Sequence, residues 1–298
     1  MSKLRVLRDF DPWRSPLCTC PLKYSLHPYT GCSHLCLYCY ASSYIGVKES
    51  YPKNRFLENL ARDLTRIRQG TLVELSTSSD PYPPIEEKLG LTRRTLKLLS
   101  RRGVKILITT KSDLVTRDVD LLLKASSAVM ITITTLDEKI AKAIEPGAPS
   151  PQKRLNALRE LRKQGIPVGV RLDPIIPFVN DDYYAIEELV GRVVEAGAMH
   201  IVTSTYKARW STLKRIAEGI PEVARKVYRL YGELGSLVHG YLYLPRSTRR
   251  LLLQLVIEPA KKYNLTYATC REGLGSGFFN APTCDGSHLI DLSRQGAM

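Results

Sequence analysis

The sequence predicts an α/β fold, an incomplete (β/α)6 barrel followed by a C-terminal α/β extension. Two observations carry this. Short apolar strands alternate with amphipathic helices six times by about residue 220, which implies a parallel sheet with right-handed crossovers. A full eightfold barrel takes about 250 residues, and 23–220 is too short for one. The chemically richest stretches also follow predicted strands: 31–46, 77–87, 110–116, 135–150 and 173–181. Sites of such sheets lie at the carboxyl ends of the strands.

In order, residues 1–22 read as an irregular N-terminal extension containing Pro12, Pro16 and Pro21. A first strand runs over 23–29. Residues 54–69 have helical periodicity, with Phe56, Leu57, Leu60, Leu64 and Ile67 on one face. Strands are predicted over 72–76, 104–109, 128–134, 167–172 and 199–203. Helices are predicted over 92–102, 117–124, 151–164 and 181–196, the third ended by Gly165. The barrel is bounded at 23–220. The extension, 221–298, holds helical patterns at 221–234 and 247–263, an apolar stretch at 237–244, and Thr266–Cys270 before a Gly-rich tail.

At 298 residues and 44% hydrophobic, the chain supports one large domain, or a domain with an appendage. No apolar run approaches the roughly 18–20 residues of a membrane span. The first ten residues are too charged for a secretory signal, so a cytoplasmic protein is expected. Asn and Gln are scarce, a weak thermophile signature. The net charge is +15, and residues 200–298 carry 14 basic and 7 acidic side chains. A basic surface favours a polyanionic partner, most simply nucleic acid; a basic thermophile surface without a specific partner explains it as well.

Of seven cysteines, Cys32, Cys36 and Cys39 fall within eight residues as C-x3-C-x2-C. Thiolates held this close can meet three corners of an iron–sulfur cube. With no fourth cysteine nearby, one iron would keep an open position, as catalytic zinc does. The alternatives are a structural zinc loop and reduced core cysteines; zinc loops usually pair C-x2-C with a distant second pair. Further along, Thr77–Glu86 puts Ser79 and Asp80 after a strand, where hydroxyls and a carboxylate can bind a nucleoside cofactor or simply make a turn. Lys111 follows the next strand and can meet a carboxylate, or be a surface lysine. Thr132 and Thr134 alternate with Ile131 and Ile133, so they share one face, of the lumen or otherwise. Arg171 ends an apolar strand, to face a carboxylate ligand or to pair with Asp173.

The cysteine spacing, with Tyr38 just before the last thiol, resembles the radical S-adenosylmethionine (SAM) superfamily. Pro28–Tyr40, Ser79–Tyr82 with Glu86, Thr110–Ser112 with Arg117 and Asp118, Thr134–Asp137, Glu145 with Arg154, and Pro174–Pro177 with Asn180 and Asp181 resemble its spore photoproduct lyase-like group. The resemblance implies a radical SAM enzyme with a TIM-like partial barrel. Three cysteines hold a [4Fe-4S] cluster, and SAM chelates the fourth iron. Reduction, by an electron donor such as ferredoxin or flavodoxin, then yields a 5′-deoxyadenosyl radical that abstracts hydrogen. By position it implies Cys32, Cys36 and Cys39 as cluster ligands. Tyr40, Ser79, Asp80, Lys111 and Thr132 are implied around SAM, with Arg171 a further cofactor candidate. Tyr38 and Tyr40 match tyrosines beside the lyase's last cluster cysteine. Where the lyase has a hydrogen-donor cysteine, this chain has Thr77, whose O–H bond is too strong for that role. Cys270 or Cys284 is the candidate to serve instead.

Cys18 and Cys20 precede the barrel, and Cys270 and Cys284 follow it. Chain ends can meet in such folds, so a shared zinc or auxiliary cluster site is one expectation, with His288 as a substitute ligand. Buried free thiols or disulfides are the others. In the C-terminal third, Tyr206, Lys207, Arg209, Trp210, Lys214, Arg215, Arg225, Lys226, Tyr228, Arg229 and Tyr231 interleave charge with aromatics. Tyr241, Tyr243, Arg246, Arg249 and Arg250 continue the pattern. Arg and Lys hold phosphates and aromatics stack on bases; helices with basic solvent faces look the same. The expected function is hydrogen abstraction from a nucleic-acid base or sugar, in repair or modification. Two alternatives stand beside it: the same chemistry on a protein or small molecule, and a non-enzymatic, metal-stabilised nucleic-acid-binding module.

Overall fold

A computed structural model of the chain describes residues 3–10 and 17–292. Pro12 and Pro16 of the N-terminal stretch lie outside the described residues. The strands are β1 Arg8–Asp9, β2 Tyr24–Leu26, β3 Tyr29–Thr30, β4 Tyr51–Pro52, β5 Leu72–Leu75, β6 Lys105–Thr110, β7 Ser126–Thr132, β8 Val168–Ile175, β9 His200–Thr205, β10 Ser236–Val238, β11 Tyr241–Tyr243 and β12 Thr266–Thr269. The helices are α1 Ser42–Ile45, α2 Phe56–Leu64, α3 Glu86–Leu89, α4 Leu91–Arg102, α5 Val119–Leu122, α6 Glu138–Ile144, α7 Pro151–Lys163, α8 Tyr183–Glu195, α9 Trp210–Gly219, α10 Pro221–Leu234, α11 Arg246–Lys262 and α12 Leu289–Leu292.

One eight-stranded sheet runs β1-β2-β5-β6-β7-β8-β9-β12. Its strands from β2 onward are parallel, and β1 joins the edge antiparallel. The six expected strands are β2, β5, β6, β7, β8 and β9. The extension adds a seventh parallel strand, β12, in register with β9. β3 and β4 form a small pair beside the cysteine loop, and β10 and β11 a hairpin.

Period-two alternation divides the side chains between two cores. Ile106, Ile108, Val129, Ile131, Val168, Val170 and Ile201 point outward under the helices and belong to the main cluster. Leu107, Ala128, Met130 and Val202 point inward, where they meet Leu289 and Ile290 of α12. The last described helix therefore plugs the concave side of the sheet. Thr132 follows Met130 on that inner face, so the threonine pattern read from sequence points into the lumen.

Local signals set the helix ends. Asp137 accepts the Lys139 and Ile140 N–H groups at the start of α6, and Ser150 caps α7 ahead of Pro151. Asp63 on α2 accepts the N–H groups of Arg5, Val6 and Leu7, which ties the N-terminal stretch to the barrel.

Candidate active site

The loop from Gly31 to Tyr40 leaves the small β3–β4 pair and is clamped on three sides. Gly31 has φ 77°, and a Cβ there would strike Glu49 O. Cys32 N–H donates to Lys48 O, and Ser33 and Ser50 exchange hydrogen bonds between backbone and hydroxyl. On the second side, the segment after α6 grips the loop. Leu37 N–H donates to Ile144 O, Gly147 N–H donates to His34 O, and a Cβ at Gly147 would strike Ser33 O. On the third side stands Arg215 of α9, whose guanidinium donates to Cys36 O and Cys39 O.

Cys32, Cys36 and Cys39 line one cavity of about 740 Å³ of empty volume together with Ser79, Asp80, Lys111 and Thr132. Burial pushes the Cys36 thiol up, and burial pushes the Cys32 thiol up to about 11. Buried thiols so far from ionising become thiolates when a cationic centre replaces the proton. Among the described residues no three His, Cys, Asp or Glu side chains converge as ligands of a single metal ion. Three thiols from one loop that line one cavity can each meet a separate iron of a cube. The residues present therefore fit a cubic iron–sulfur group.

Asp80 is a hub. Its Oδ1 accepts from Tyr82 N–H at 2.9 Å and Thr110 Oγ1 at 2.7 Å. Its Oδ2 accepts from Lys111 N–H at 2.8 Å and lies 3.1 Å from His34 Nε2. Burial alone would raise this carboxyl, but His34 and the Thr110 and Lys111 donors outweigh burial and hold it at about 2. The carboxylate thus ties the cysteine loop to the ends of β5 and β6. Ser79 Oγ donates to Tyr29 O.

Lys111 is no surface lysine: its side chain is 16% exposed, 3.9 Å from Glu145 Oε1 and over the Tyr38 ring. Buried Glu145 accepts from Tyr38 OH and from Thr134 Oγ1 and pairs with Arg154 at 2.5 Å. Tyr38 therefore stands in the cavity wall with its hydroxyl turned to Glu145. Tyr40 OH donates to Thr77 O, and its ring meets Tyr44 and Tyr241.

Two further cavities adjoin the first. One, about 1180 Å³, contains Lys111, Thr132, Arg171, Cys20 and Cys270 in its wall. Arg171 pairs with Asp173 at 2.5 Å, the second of the two roles read for it. The other, about 1530 Å³, is lined by Arg8, Phe10, His27, Tyr44, Arg209, Tyr241 and Tyr243, and shares Tyr40, Thr77 and Ser78 with the cysteine cavity. Thr77 Oγ1 lies 3.0 Å from His27 Nε2.

Among the described residues the four remaining cysteines are not brought together as one set of metal ligands. Cys20 Sγ lies 3.4 Å from Cys284 Sγ, and Cys18 hydrogen-bonds to Cys20. Thiols in mutual contact cannot each hold a separate iron of a cube. Cys270 follows β12 and stands with Cys20 in the wall of the cavity of about 1180 Å³, and Cys284 is buried against Cys20. His288 stacks edge-on against His200 at 4.8 Å. The basic–aromatic series also splits. Tyr206 and Tyr231 are buried against one another, and Lys207 and Arg249 are bound to buried Glu272. Trp210, Lys214, Arg225, Lys226, Tyr228 and Arg229 remain exposed. Arg215 and Tyr241, both members of the basic–aromatic series, stand in cavity walls, Arg215 beside the cysteines and Tyr241 in the adjoining cavity. Sequence reasoning missed His34, whose signal was its place inside the cysteine motif.

A family model described as the radical SAM superfamily matches residues 26–190. An uncharacterised protein of Methanocaldococcus jannaschii is 35% identical over 202 residues, 62% of this chain and 71% of its own length. A Pseudomonas phage M6 protein named as a radical SAM Nα-GlyT isomerase is 26% identical over 259 residues, 82% of this chain and 53% of its own. A solved spore photoproduct lyase variant with bound AdoMet and dinucleoside spore photoproduct matches at TM-score 0.66 and 16% identity, over 90% of this chain and 79% of that one. That last likeness is one of fold.

Proposed function

The chain belongs to the radical SAM superfamily, and we propose that it acts on a nucleic-acid base or sugar held in the aromatic, basic cavity beside the cysteine loop. Cys32, Cys36 and Cys39 would hold a [4Fe-4S] cluster, with SAM beside it. When bound, that pair supplies reductive cleavage of SAM and abstraction of a hydrogen atom from the substrate. An outside one-electron donor such as ferredoxin or flavodoxin would feed it.

The chain's own residues bind and exclude. Lys111 carries the cation to meet the SAM carboxylate. Asp80, held by three hydrogen-bond donors and the His34 ring 3.1 Å away, keeps the loops around the cofactor in register and is a positioning residue. Ser79 and Thr132 line the SAM side, and Tyr40 closes it toward the substrate. One observation carries the substrate reading: Tyr40, Thr77 and Ser78 belong to both cavities, so whatever fills the second lies against the cofactor. Tyr44 and Tyr241 offer aromatic rings, the latter already under the Arg209 guanidinium, and Arg8 and Arg209 offer charge for phosphate. A base within a duplex would have to be flipped out to enter. The dinucleoside bound in the lyase structure supports the class. Thr77 stands where the resembling lyase has its donor cysteine, so repair of spore photoproduct by that thiol is not proposed. Cys270 is the thiol in the lumen wall.

The test is anaerobic reconstitution with iron and sulfide analysis, then dithionite, SAM and an assay for 5′-deoxyadenosine, with Cys36→Ala as control. About four irons per chain and cysteine-dependent 5′-deoxyadenosine are expected. Zinc in place of iron, with no SAM cleavage, would overturn the reading. For the substrate, Tyr241→Ala should weaken single-stranded DNA binding by about 1–3 kcal/mol if a base stacks there. Unchanged binding would move the substrate to another class.

A further inference from the structure

We propose that Arg215 is a positioning residue for the cluster, fixing the C-terminal half of its ligand loop and raising its reduction potential. This rests on the cluster assignment above. Arg215 comes from α9, beyond the sixth strand, yet its guanidinium reaches back to the motif. Nη1 donates to Cys36 O at 3.2 Å. Nη2 donates to Cys39 O at 3.0 Å and to Ser42 Oγ at 2.6 Å. Ser42 Oγ itself donates to Cys39 O at 2.6 Å. Two of the three ligand cysteines are thus held through their main-chain oxygens by one side chain. Only a planar fork spans such a set; a lysine would supply a single point.

Packing supports the clamp independently. A Cβ at Gly219, one turn further along α9, would run into Leu37 Cδ1. α9 therefore lies directly on the loop between Cys36 and Cys39. Leu37 N–H is held from the other side by Ile144 O. The loop is gripped between α6 and α9, and Arg215 is the polar part of that grip. The same side chain stands in the wall of the cofactor cavity. Its three described bonds go to neutral oxygens, so no carboxylate there cancels its charge. A cation beside a cluster favours the more electron-rich state, and bonds around ligands tune both affinity and potential.

The test uses the full chain, reconstituted anaerobically, as wild type, Arg215→Lys, Arg215→Gln and Arg215→Leu. Two readouts besides activity are taken: competition for iron by a chelator, and the midpoint potential from an EPR-monitored redox titration. Arg215→Leu should lower iron affinity by about 10–100-fold. Arg215→Gln and Arg215→Leu should titrate at lower potential, while Arg215→Lys keeps the potential near wild type with looser iron. Wild-type affinity and potential in Arg215→Leu would overturn the proposal. Should Arg215→Leu fail to fold by circular dichroism, the other two decide: identical potentials in Arg215→Lys and Arg215→Gln would overturn it. A wild type that takes up no iron removes the cluster assignment and this inference with it. A wild type with about four irons and an unmoved Arg215 series overturns the inference alone.

Discussion

Two groups of three cysteines face the same sheet and differ in spacing. Cys32, Cys36 and Cys39 come from one loop and spread around a cavity, each backed by hydrogen bonds that hold the loop open. Cys18, Cys20 and Cys284 come from opposite ends of the described chain and collapse onto one another, with Cys20 and Cys284 sulfurs 3.4 Å apart. Beside the second group, Lys23 is buried between Glu74 at 2.6 Å and Asp285 at 2.5 Å. The first group is built around space and the second around contact. Thiols with room between them suit a multi-iron centre, and thiols in contact fasten two chain segments.

The sharpest test exchanges the groups' fates. Cys36→Ala should abolish both iron binding and SAM cleavage, whereas Cys20→Ala should keep about four irons. Iron analysis of the two variants side by side breaks the comparison if Cys20→Ala loses the metal. Next in size, Asp285→Ala strips one of two carboxylates from buried Lys23, which keeps Glu74, and should cost about 1–3 kcal/mol in unfolding free energy. The folded fraction should still take up iron. The triple variant Lys23→Met/Glu74→Leu/Asp285→Leu, which removes every charge of the cluster, should recover much of the loss, since buried ion groups are often replaceable by apolar packing. Burial pushes the Asp285 carboxyl up, but Lys23 and the Ser287 donors overcome burial and hold it at about 2, below the ordinary 3.8. A carboxyl depressed on folding stabilises fully above its unfolded value. Its contribution is therefore present above about pH 4 and fades as pH falls toward 2, and denaturant melts across that window should show it. The slope should vanish in the triple variant.

The same contrast explains what the sequence could and could not reveal. Cys32, Cys36 and Cys39 are local, so their spacing alone announced a shared centre. The strands β5 to β9 are likewise local patterns of period two, and their order follows from the crossover rule. β12 is only Thr-Tyr-Ala-Thr, too short to read as a strand until its pairing with β9 is known. α12 is four residues whose apolar face has meaning only against Met130. α6 and α9 escaped notice as helices, and with α9 went the place of Arg215 beside the motif, which it meets across 176 and 179 residues. Asp80 was legible as a site residue, but its role was not. Three donors and the His34 ring, from three separate loops, make this candidate ligand contact a brace as well. Local pattern yields the residues that bind, and long-range contact yields those that position them.

The smallest expected effect separates the two late cysteines, which sequence alone left interchangeable. Cys270 follows β12 with its N–H on Thr203 O, and its thiol shares a cavity wall with Arg171, Lys207 and Tyr243. Cys284 is 8% exposed and packed on Cys20. Thiol reactivity follows access as well as ionisation. Brief treatment of the folded, cluster-loaded protein with iodoacetamide should therefore modify Cys270 several-fold faster than Cys284, read by peptide mass spectrometry. Unfolding in denaturant should erase the difference, because both thiols then face water. Should Cys284 react first in the folded protein, the segment carrying α12 must open more readily than the lumen admits a small reagent. The contact-built group would then be the looser of the two.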